Sequence, residues 1–169
     1  MGLPSCVVFL NGPVGVGKTT LGRGLAATMG AGFMDGDDYS DSSKPWYCST
    51  LQCSKAIVRQ AKSLLQKNST VIVSYPIRCS SWIYYRRHFS DDGIETLFVS
   101  LRASFGSIVD HGRGRLFDEA EQQRIQTMIA EGYGDRPFSD LILDTDKTSF
   151  EDTLRRLTIE IERMMPKGR

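Results

Sequence analysis

The sequence has little net charge and no long apolar segment. Its 21 lysines and arginines nearly balance its 20 aspartates and glutamates, which gives a formal net charge of +1. A nearly neutral chain has no broad positive field, so we expect neither nucleic acid nor a membrane surface as a partner. No apolar run approaches the roughly 20 residues of a membrane-spanning helix. Residues 1–11 lack the basic start and the cleavage-type ending of a secretion signal, so we expect none.

Cysteine and histidine are also scarce. The sequence has four cysteines (Cys6, Cys48, Cys53 and Cys79), none of them in C-x-x-C spacing, and only two histidines. This composition offers little to a zinc site. Four unpaired thiols are typical of a reducing compartment, so we expect a cytoplasmic protein.

Short apolar runs alternate with amphipathic segments along the 169 residues. The runs are rich in strand-forming residues and predict five strands, at residues 6–10, 33–34, 70–75, 95–101 and 141–143. The other segments predict helices at residues 18–29, 51–66, 80–89, 105–111, 118–130 and 149–164, with a loop over residues 35–47. Alternating strands and helices are typical of a parallel sheet with helices on both faces, so the sequence predicts one three-layer α/β domain over residues 1–169.

Three of the predicted helices have recognisable starts. Asp118 is followed by Glu121 three residues on, which is close to a capping-box pattern. Ser149 is a favourable cap for the last helix, and a serine at residues 80–81 is expected to start the third one.

The segment GPVGVGKT, from Gly12 to Thr19, matches the pattern G-x-x-x-x-G-K-[ST] without a mismatch. It follows a predicted buried strand and opens a predicted helix, which is the context that a phosphate-binding loop requires. Its glycines let successive N–H groups wrap a phosphate chain, and the helix N-terminus adds its positive dipole end. Lys18 is expected to reach the β- and γ-phosphates, and the Thr19 hydroxyl to ligate Mg²⁺. The sequence therefore predicts ATP and Mg²⁺ as cofactors, with a nucleotide-binding set of Gly12, Pro13, Val14, Gly15, Val16, Gly17, Lys18, Thr19 and Thr20.

Other features separate the classes of protein that share this loop. A switch GTPase would carry an N-K-x-D motif after a late strand, but the last predicted strand ends in LDTDK. A motor ATPase would place an acidic residue at the end of an apolar strand, but the strand at residues 70–75 runs into SYP. Acidic residues instead follow the second strand, at Asp35 and Asp37 in FMDGDD. That loop opens on the same sheet edge as the phosphate-binding loop, where one carboxylate can orient the water shell of the metal and the other can accept a proton from a hydroxyl.

In these two motifs, GPVGVGKT and FMDGDD, the sequence resembles the shikimate kinase and gluconate kinase branch of the nucleoside-monophosphate-kinase-like P-loop fold. The resemblance implies a five-stranded parallel sheet of order 2-3-1-4-5 with a small lid, and ATP-dependent transfer of the γ-phosphoryl group to a hydroxyl of a small metabolite. It also implies that Asp35 holds Mg²⁺ through water, and that Asp37 contacts the acceptor and acts as its base. Shikimate kinases have a G-G-G turn where this sequence has YPIR, so the resemblance leaves the acceptor open.

Four arginines complete the predicted site. Arg113 and Arg115 lie in HGRGRLF, at the lid position of this fold (residues 112–118), where an arginine would offset negative charge in the transition state. Arg59 and Arg78 could hold an anionic group of the acceptor. The predicted catalytic residues are thus Lys18, Asp37, Arg113 and Arg115, and the predicted substrate-binding residues are Asp37, Arg59 and Arg78.

Two further interpretations concern the second half of the chain. The pair Arg136-Pro137 and the segment at residues 144–147 fall where this fold encloses adenine. Glu121 and Arg124, three apart on one predicted helix, are expected to form an ordinary surface ion pair.

Two other functions fit the same sequence. One is a nucleoside or nucleotide kinase, in which Arg59, Arg78 and Arg87 would hold an acceptor phosphate. The other is a nucleotide-binding regulatory module that keeps the phosphate-binding loop but lacks acceptor chemistry. For the metabolite kinase, the expected partners are ATP and a small-molecule acceptor, and the expected state is a monomer or a homodimer.

Overall fold

Five parallel strands form the centre of the fold, in the order β2-β3-β1-β4-β5. The structure is a computed structural model and describes residues 4–165, apart from the side chains of Trp46 and Tyr47. The strands are β1 (Cys6–Asn11), β2 (Gly32–Asp35), β3 (Thr70–Ser74), β4 (Glu95–Arg102) and β5 (Leu141–Asp144). The five predicted strands and their order are confirmed, with ends that differ by one residue.

Helices cover both faces of the sheet. They are α1 (Lys18–Met29), α2 (Trp46–Leu65), α3 (Cys79–Ser90), α4 (Phe105–Val109), α5 (Glu119–Ala130) and α6 (Phe150–Met164). Side chains alternate along β1, so Val8 and Leu10 pack into one apolar core while Val7 and Phe9 pack into the other. The first core also contains buried residues of α1, α4, α5 and α6, and the second contains those of α2 and α3. The predicted three-layer α/β class is therefore confirmed. Within residues 4–165, every helix is too short or too polar to cross a lipid bilayer.

Part of the predicted loop over residues 35–47 is helical. A 3-10 helix occupies Gly36–Tyr39, and α2 begins at Trp46 rather than at residue 51. The first turns of α2 carry polar residues such as Ser49 and Thr50, so the apolar periodicity that marks a helix starts late. A second 3-10 helix, His111–Arg113, begins the predicted lid.

The helix starts agree with the sequence in two cases out of three. The side chain of Asp118 accepts the N–H of Glu121, and the Glu121 carboxylate accepts the N–H of Asp118, so the capping box is confirmed. Ser149 caps α6 through its side chain, also as predicted. Helix α3 begins after Arg78 without a side-chain cap, so the serine start at residues 80–81 is wrong.

The carboxyl ends of the strands bring the predicted motifs to one edge of the sheet. The register pairs Asp35 at the end of β2 with Ser74 at the end of β3. Asn11, at the end of β1, is fully buried. Its amide donates to the Tyr133 carbonyl at 2.7 Å, and its Oδ1 accepts the N–H of Ile77 at 2.7 Å. These bonds tie the segments that follow β3 and α5 to the end of the central strand.

Candidate active site

The phosphate-binding loop connects β1 to α1 and lines a cavity of about 640 Å³, here called the nucleotide cavity. Residues 14–20 of the predicted nucleotide-binding set lie on its wall. Gly12 and Pro13 do not, but their backbone carbonyls accept hydrogen bonds from Lys18 Nζ at 2.9 and 2.8 Å. Two of the three N–H donors of the Lys18 ammonium group are thus used on its own loop, and a bound triphosphate would compete with these two carbonyls.

Gly15 lets the phosphate-binding loop meet the predicted lid. Its φ of +78° lies in the left-handed region that glycine adopts without strain. A Cβ built at this position would lie 2.6 Å from Phe117 Cζ and 2.8 Å from Ile108 Cγ2. A larger residue would clash with both, because the ring of Phe117 packs directly on the backbone of the loop.

Asp35 links the phosphate-binding loop to the acidic motif. Thr19 Oγ1 donates a hydrogen bond to Asp35 Oδ2 at 2.7 Å, and Asp35 Oδ1 accepts one from the N–H of Asp37 at 3.1 Å. The structure therefore brings together the two predicted metal residues, Thr19 and Asp35. A hydroxyl and a carboxylate suit Mg²⁺, which takes few protein ligands and keeps several waters. Residues 4–165 contain no cluster of three or more His, Cys, Asp or Glu that could hold a metal by themselves.

Asp37 lies on the wall of the nucleotide cavity. Partial burial, followed by the neighbouring Asp35 carboxylate, raises the pKa of Asp37 above its ordinary value, against the opposing effect of Lys18. Burial lowers the pKa of Lys18 to about 8, although Asp37 and Asp35 raise it in part. A carboxylate with a raised pKa is a better proton acceptor near neutral pH.

The ring of Tyr75 leaves no room for a side chain at Gly36, the residue between Asp35 and Asp37. A Cβ built at Gly36 would lie 2.5 Å from Tyr75 Cδ2. The Gly36 carbonyl also accepts a hydrogen bond from the buried thiol of Cys53 at 3.4 Å. The turn between Asp35 and Asp37 therefore packs closely against Tyr75 and is bonded to Cys53.

Both predicted lid arginines line the nucleotide cavity, and each has a partner. Arg113 Nη2 donates to the Thr145 carbonyl at 3.0 Å. Arg115 Nη2 pairs with Glu121 Oε1 at 3.0 Å, and its guanidinium lies 4.6 Å from the ring centre of Phe117. Arg113 is therefore held by the loop after β5, whereas Arg115 is held by the start of α5.

A second cavity, of about 810 Å³, adjoins the first. The two cavities share the lining residues Pro76 and Arg124. Hydroxyl side chains are frequent on the wall of the second cavity: Ser40, Ser49, Thr50, Tyr75, Ser81, Thr127 and Tyr133. Hydroxyl groups both donate and accept hydrogen bonds, so this wall suits a polar, hydroxylated molecule.

Arg78 also lines the second cavity, as its predicted role in substrate binding requires. Its Nε donates to Tyr133 Oη at 3.2 Å. Arg136, which the sequence predicts near adenine, lies instead with its guanidinium 4.1 Å from the ring centre of Tyr133 and lines neither cavity. Of the predicted adenine segment at residues 144–147, Thr145 lines the nucleotide cavity.

Arg59 is not brought to either cavity. Its side chain is exposed on α2, nine residues (59 minus 50) after Thr50, which lines the second cavity. At a rise of 1.5 Å per residue, that separation is about 14 Å along the helix. The sequence indicated a helix here, but with its first turns read as loop it could not indicate which turn faces the site.

The position of Arg124 was missed from the sequence. The predicted ion pair with Glu121 is wrong, because the Glu121 carboxylate binds Arg115 and the N–H of Asp118. Arg124 lines both cavities instead. A signal was available, since residues 120, 124, 127 and 131 have helical spacing along one stripe, and all four line the second cavity.

Comparison with known proteins gives one short sequence match. No family model matches the chain. The shikimate kinase of Psychrobacter cryohalolentis is 58% identical over 40 residues, which are 24% of this chain and 20% of that protein. The shikimate kinase of Psychrobacter arcticus matches to the same extent. The matched segment therefore spans about a fifth of the length of these relatives.

Solved structures resemble almost the whole chain. A gluconokinase from Sinorhizobium meliloti 1021 has a TM-score of 0.76 at 18% identity, covering 98% of this chain and 95% of that one. The tunicamycin resistance protein of Deinococcus radiodurans has a TM-score of 0.70 at 14% identity, with 97% and 99% covered. A shikimate kinase from Acinetobacter baumannii, in complex with shikimate, has a TM-score of 0.60 at 17% identity, with 96% of each chain covered. At these identities the likeness is one of fold, and it confirms the P-loop kinase fold that the sequence motifs implied.

Proposed function

We propose that the protein is an ATP-dependent kinase that transfers the γ-phosphoryl group to a hydroxyl of a small metabolite. The observation that carries this proposal is that Asp37 lines the nucleotide cavity together with the phosphate-binding loop, and that a second, hydroxyl-lined cavity adjoins this one. Asp37 lines the nucleotide cavity, and Ser40, which follows the same 3-10 helix, lines the second one. The short match to shikimate kinase and the fold shared with gluconokinase support the same reaction class.

The triphosphate of ATP binds along residues 12–20. Lys18 gives up its hydrogen bonds to the carbonyls of Gly12 and Pro13 and binds the β- and γ-phosphates, because a charged phosphate attracts the ammonium group more strongly than a neutral carbonyl does. Thr19 would hold Mg²⁺ directly and Asp35 would hold it through water, and the bound metal would neutralise phosphate charge. Arg113 and Arg115 line the same cavity and add positive charge as the lid closes.

Asp37 acts as the general base. It accepts the proton of the acceptor hydroxyl while the acceptor oxygen forms a bond to the γ-phosphorus and the bond from that phosphorus to ADP breaks. Its raised pKa favours proton uptake, and the hydrogen bond from its own N–H to Asp35 fixes the turn on which it stands.

The second cavity is the acceptor site. Its hydroxyl side chains suit a polyhydroxylated molecule, and Arg78 suits an anionic group on that molecule. The same arginine could hold the phosphate of a nucleoside monophosphate, so a nucleotide kinase is the second candidate. The two candidates differ in the acceptor but use the same Asp37 and the same nucleotide cavity.

The test is the rate of Mg²⁺-ATP consumption with a panel of acceptors. The panel contains sugar acids, shikimate, aminocyclitols, nucleosides and nucleoside monophosphates, with Lys18→Met as the control for ATP chemistry. We expect one hydroxylated metabolite to stimulate turnover in the parent and none to do so in Lys18→Met. Stimulation only by a nucleoside monophosphate would favour the second candidate. Tight ATP binding with no stimulation by any acceptor would contradict the proposal and favour a regulatory module.

A further inference from the structure

Arg124 lies where the two cavities meet. Of the described residues, only Arg124 and the uncharged Pro76 line both cavities. The other arginines of the site line one cavity each, Arg113 and Arg115 the nucleotide cavity and Arg78 the second one. A phosphoryl group that passes from ATP to an acceptor crosses this junction, so it passes Arg124.

Among the described residues, no carboxylate pairs with the guanidinium of Arg124. Glu121, one helical turn earlier, is engaged by Arg115 at 3.0 Å and by the N–H of Asp118 at 3.1 Å. Within residues 4–165, Arg124 takes part in no hydrogen bond or ion pair. The guanidinium of Arg124 is therefore available to an anionic ligand at the junction of the two cavities.

The backbone that carries Arg124 is well packed. Helix α5 begins with the capping box of Asp118 and Glu121, and its residues Ile125 and Met128 are buried. Arg113 and Arg115, by contrast, lie before this helix, in the lid. The backbone of Arg124 therefore belongs to a packed helix and not to the lid, so the residue stays at the junction whether or not the lid moves.

We propose that Arg124 is a catalytic residue that contacts the transferring phosphoryl group and stabilises its negative charge in the transition state. This inference rests on the proposed function. A bond forms between the acceptor oxygen and the γ-phosphorus while the bond from that phosphorus to the β–γ bridging oxygen breaks. ADP keeps the electron pair, and Asp37 takes the hydroxyl proton. Arg124 keeps all its protons and acts through its planar set of N–H donors, which a lysine does not reproduce.

The test compares Arg124→Ala and Arg124→Lys with the parent protein. The matched control is Arg59→Ala, an exposed helical arginine that lines neither cavity. Two rates are measured with Mg²⁺-ATP: transfer to the best acceptor of the panel, and slow hydrolysis with water as the acceptor. Arg124 is exposed and alanine is a strong helix former, so the variant should fold, which thermal unfolding checks.

We expect both rates to fall about 10²–10³-fold in Arg124→Ala, as when one hydrogen-bond donor to the transition state is removed from a reaction site. The dissociation constant of Mg²⁺-ATP should stay within about threefold of the parent value, because the contact strengthens mainly in the transition state. Arg124→Lys should remain slow, and added guanidinium should restore part of the activity of Arg124→Ala.

Two results would overturn the inference: rates in Arg124→Ala that equal those of Arg59→Ala, or an effect confined to ATP binding. If no acceptor stimulates the parent, the proposed function fails, but the hydrolysis rates still test Arg124. A parent that hydrolyses no ATP and phosphorylates no acceptor would overturn both.

Discussion

Gly36, between the two aspartates of the candidate site, sets the position of both. Its Cα faces the ring of Tyr75, and a Cβ would approach that ring to 2.5 Å. The φ of Gly36 does not lie in the left-handed region, so the constraint comes from packing and not from backbone conformation. A side chain here can be accommodated only if the ring of Tyr75 or the turn itself moves.

We expect Gly36→Ala to lower the free energy of unfolding by about 1–3 kcal/mol, the usual cost of an extra carbon in a packed region. The displaced turn should also slow phosphoryl transfer, because Asp37 moves with it. Urea unfolding and the transfer rate measure the two effects.

The matched control is Gly106→Ala, because Gly106 lies in a helix and a Cβ there meets nothing within 4 Å. In a Tyr75→Ala background the Gly36→Ala change should cost less, since the ring has been removed. Equal costs in the two backgrounds would rule out the clash with Tyr75 as the cause.

At the scale of elements, the predicted lid contacts the phosphate-binding loop through the side chain of Phe117. Phe117 packs on the backbone of Gly15 and carries the guanidinium of Arg115 on its ring. The far side of Arg115 is held by Glu121, at the start of α5. Arg115 is therefore positioned by Phe117, which packs on the phosphate-binding loop, and by Glu121 at the capped start of α5.

We expect Phe117→Ala to weaken Mg²⁺-ATP binding two- to fivefold, which corresponds to the loss of about 0.5–1 kcal/mol for one exposed cation–π contact. The effect should stay small because Glu121 still holds Arg115. Titration with a fluorescent ATP analogue measures the affinity.

Leu116→Ala is the control for that experiment, because Leu116 is the neighbouring lid residue and is 73% exposed. It should leave the affinity for ATP unchanged. Equal weakening in both variants would mean that the lid responds to any loss of side-chain volume and that Phe117 has no special role.

At the scale of the whole molecule, the sequence was sufficient for the architecture. The apolar runs marked all five strands, because strands buried on both faces read as continuous apolar segments. The glycine pattern and the D-x-D motif then located the nucleotide cavity, since both follow strands that end at the same edge. These features depend on short stretches of chain, which a sequence pattern reports well.

The acceptor side of the site could not be predicted to the same degree. Its wall combines the first turns of α2, the start of α3 and one stripe of α5, which are far apart in the sequence. Periodicity indicates which face of a helix is buried, but not which turn lies at the edge of the sheet. Arg59 was therefore predicted to bind the substrate although it lies about 14 Å along α2 from Thr50, a residue of that helix that lines the second cavity. Arg124 was overlooked because its spacing from Glu121 predicted an ion pair within the helix. In the structure Glu121 pairs with Arg115 instead.

The most direct test of the account is the rate of acceptor phosphorylation in Asp37→Asn, measured by ³¹P NMR beside the affinity for Mg²⁺-ATP. Asparagine keeps the size of the side chain but cannot take the hydroxyl proton. The account predicts that phosphorylation falls about 10²–10⁴-fold, the usual contribution of a general base, while ATP binding is retained. Phosphorylation at the parental rate in this variant would show that Asp37 is not the base, and would contradict the account.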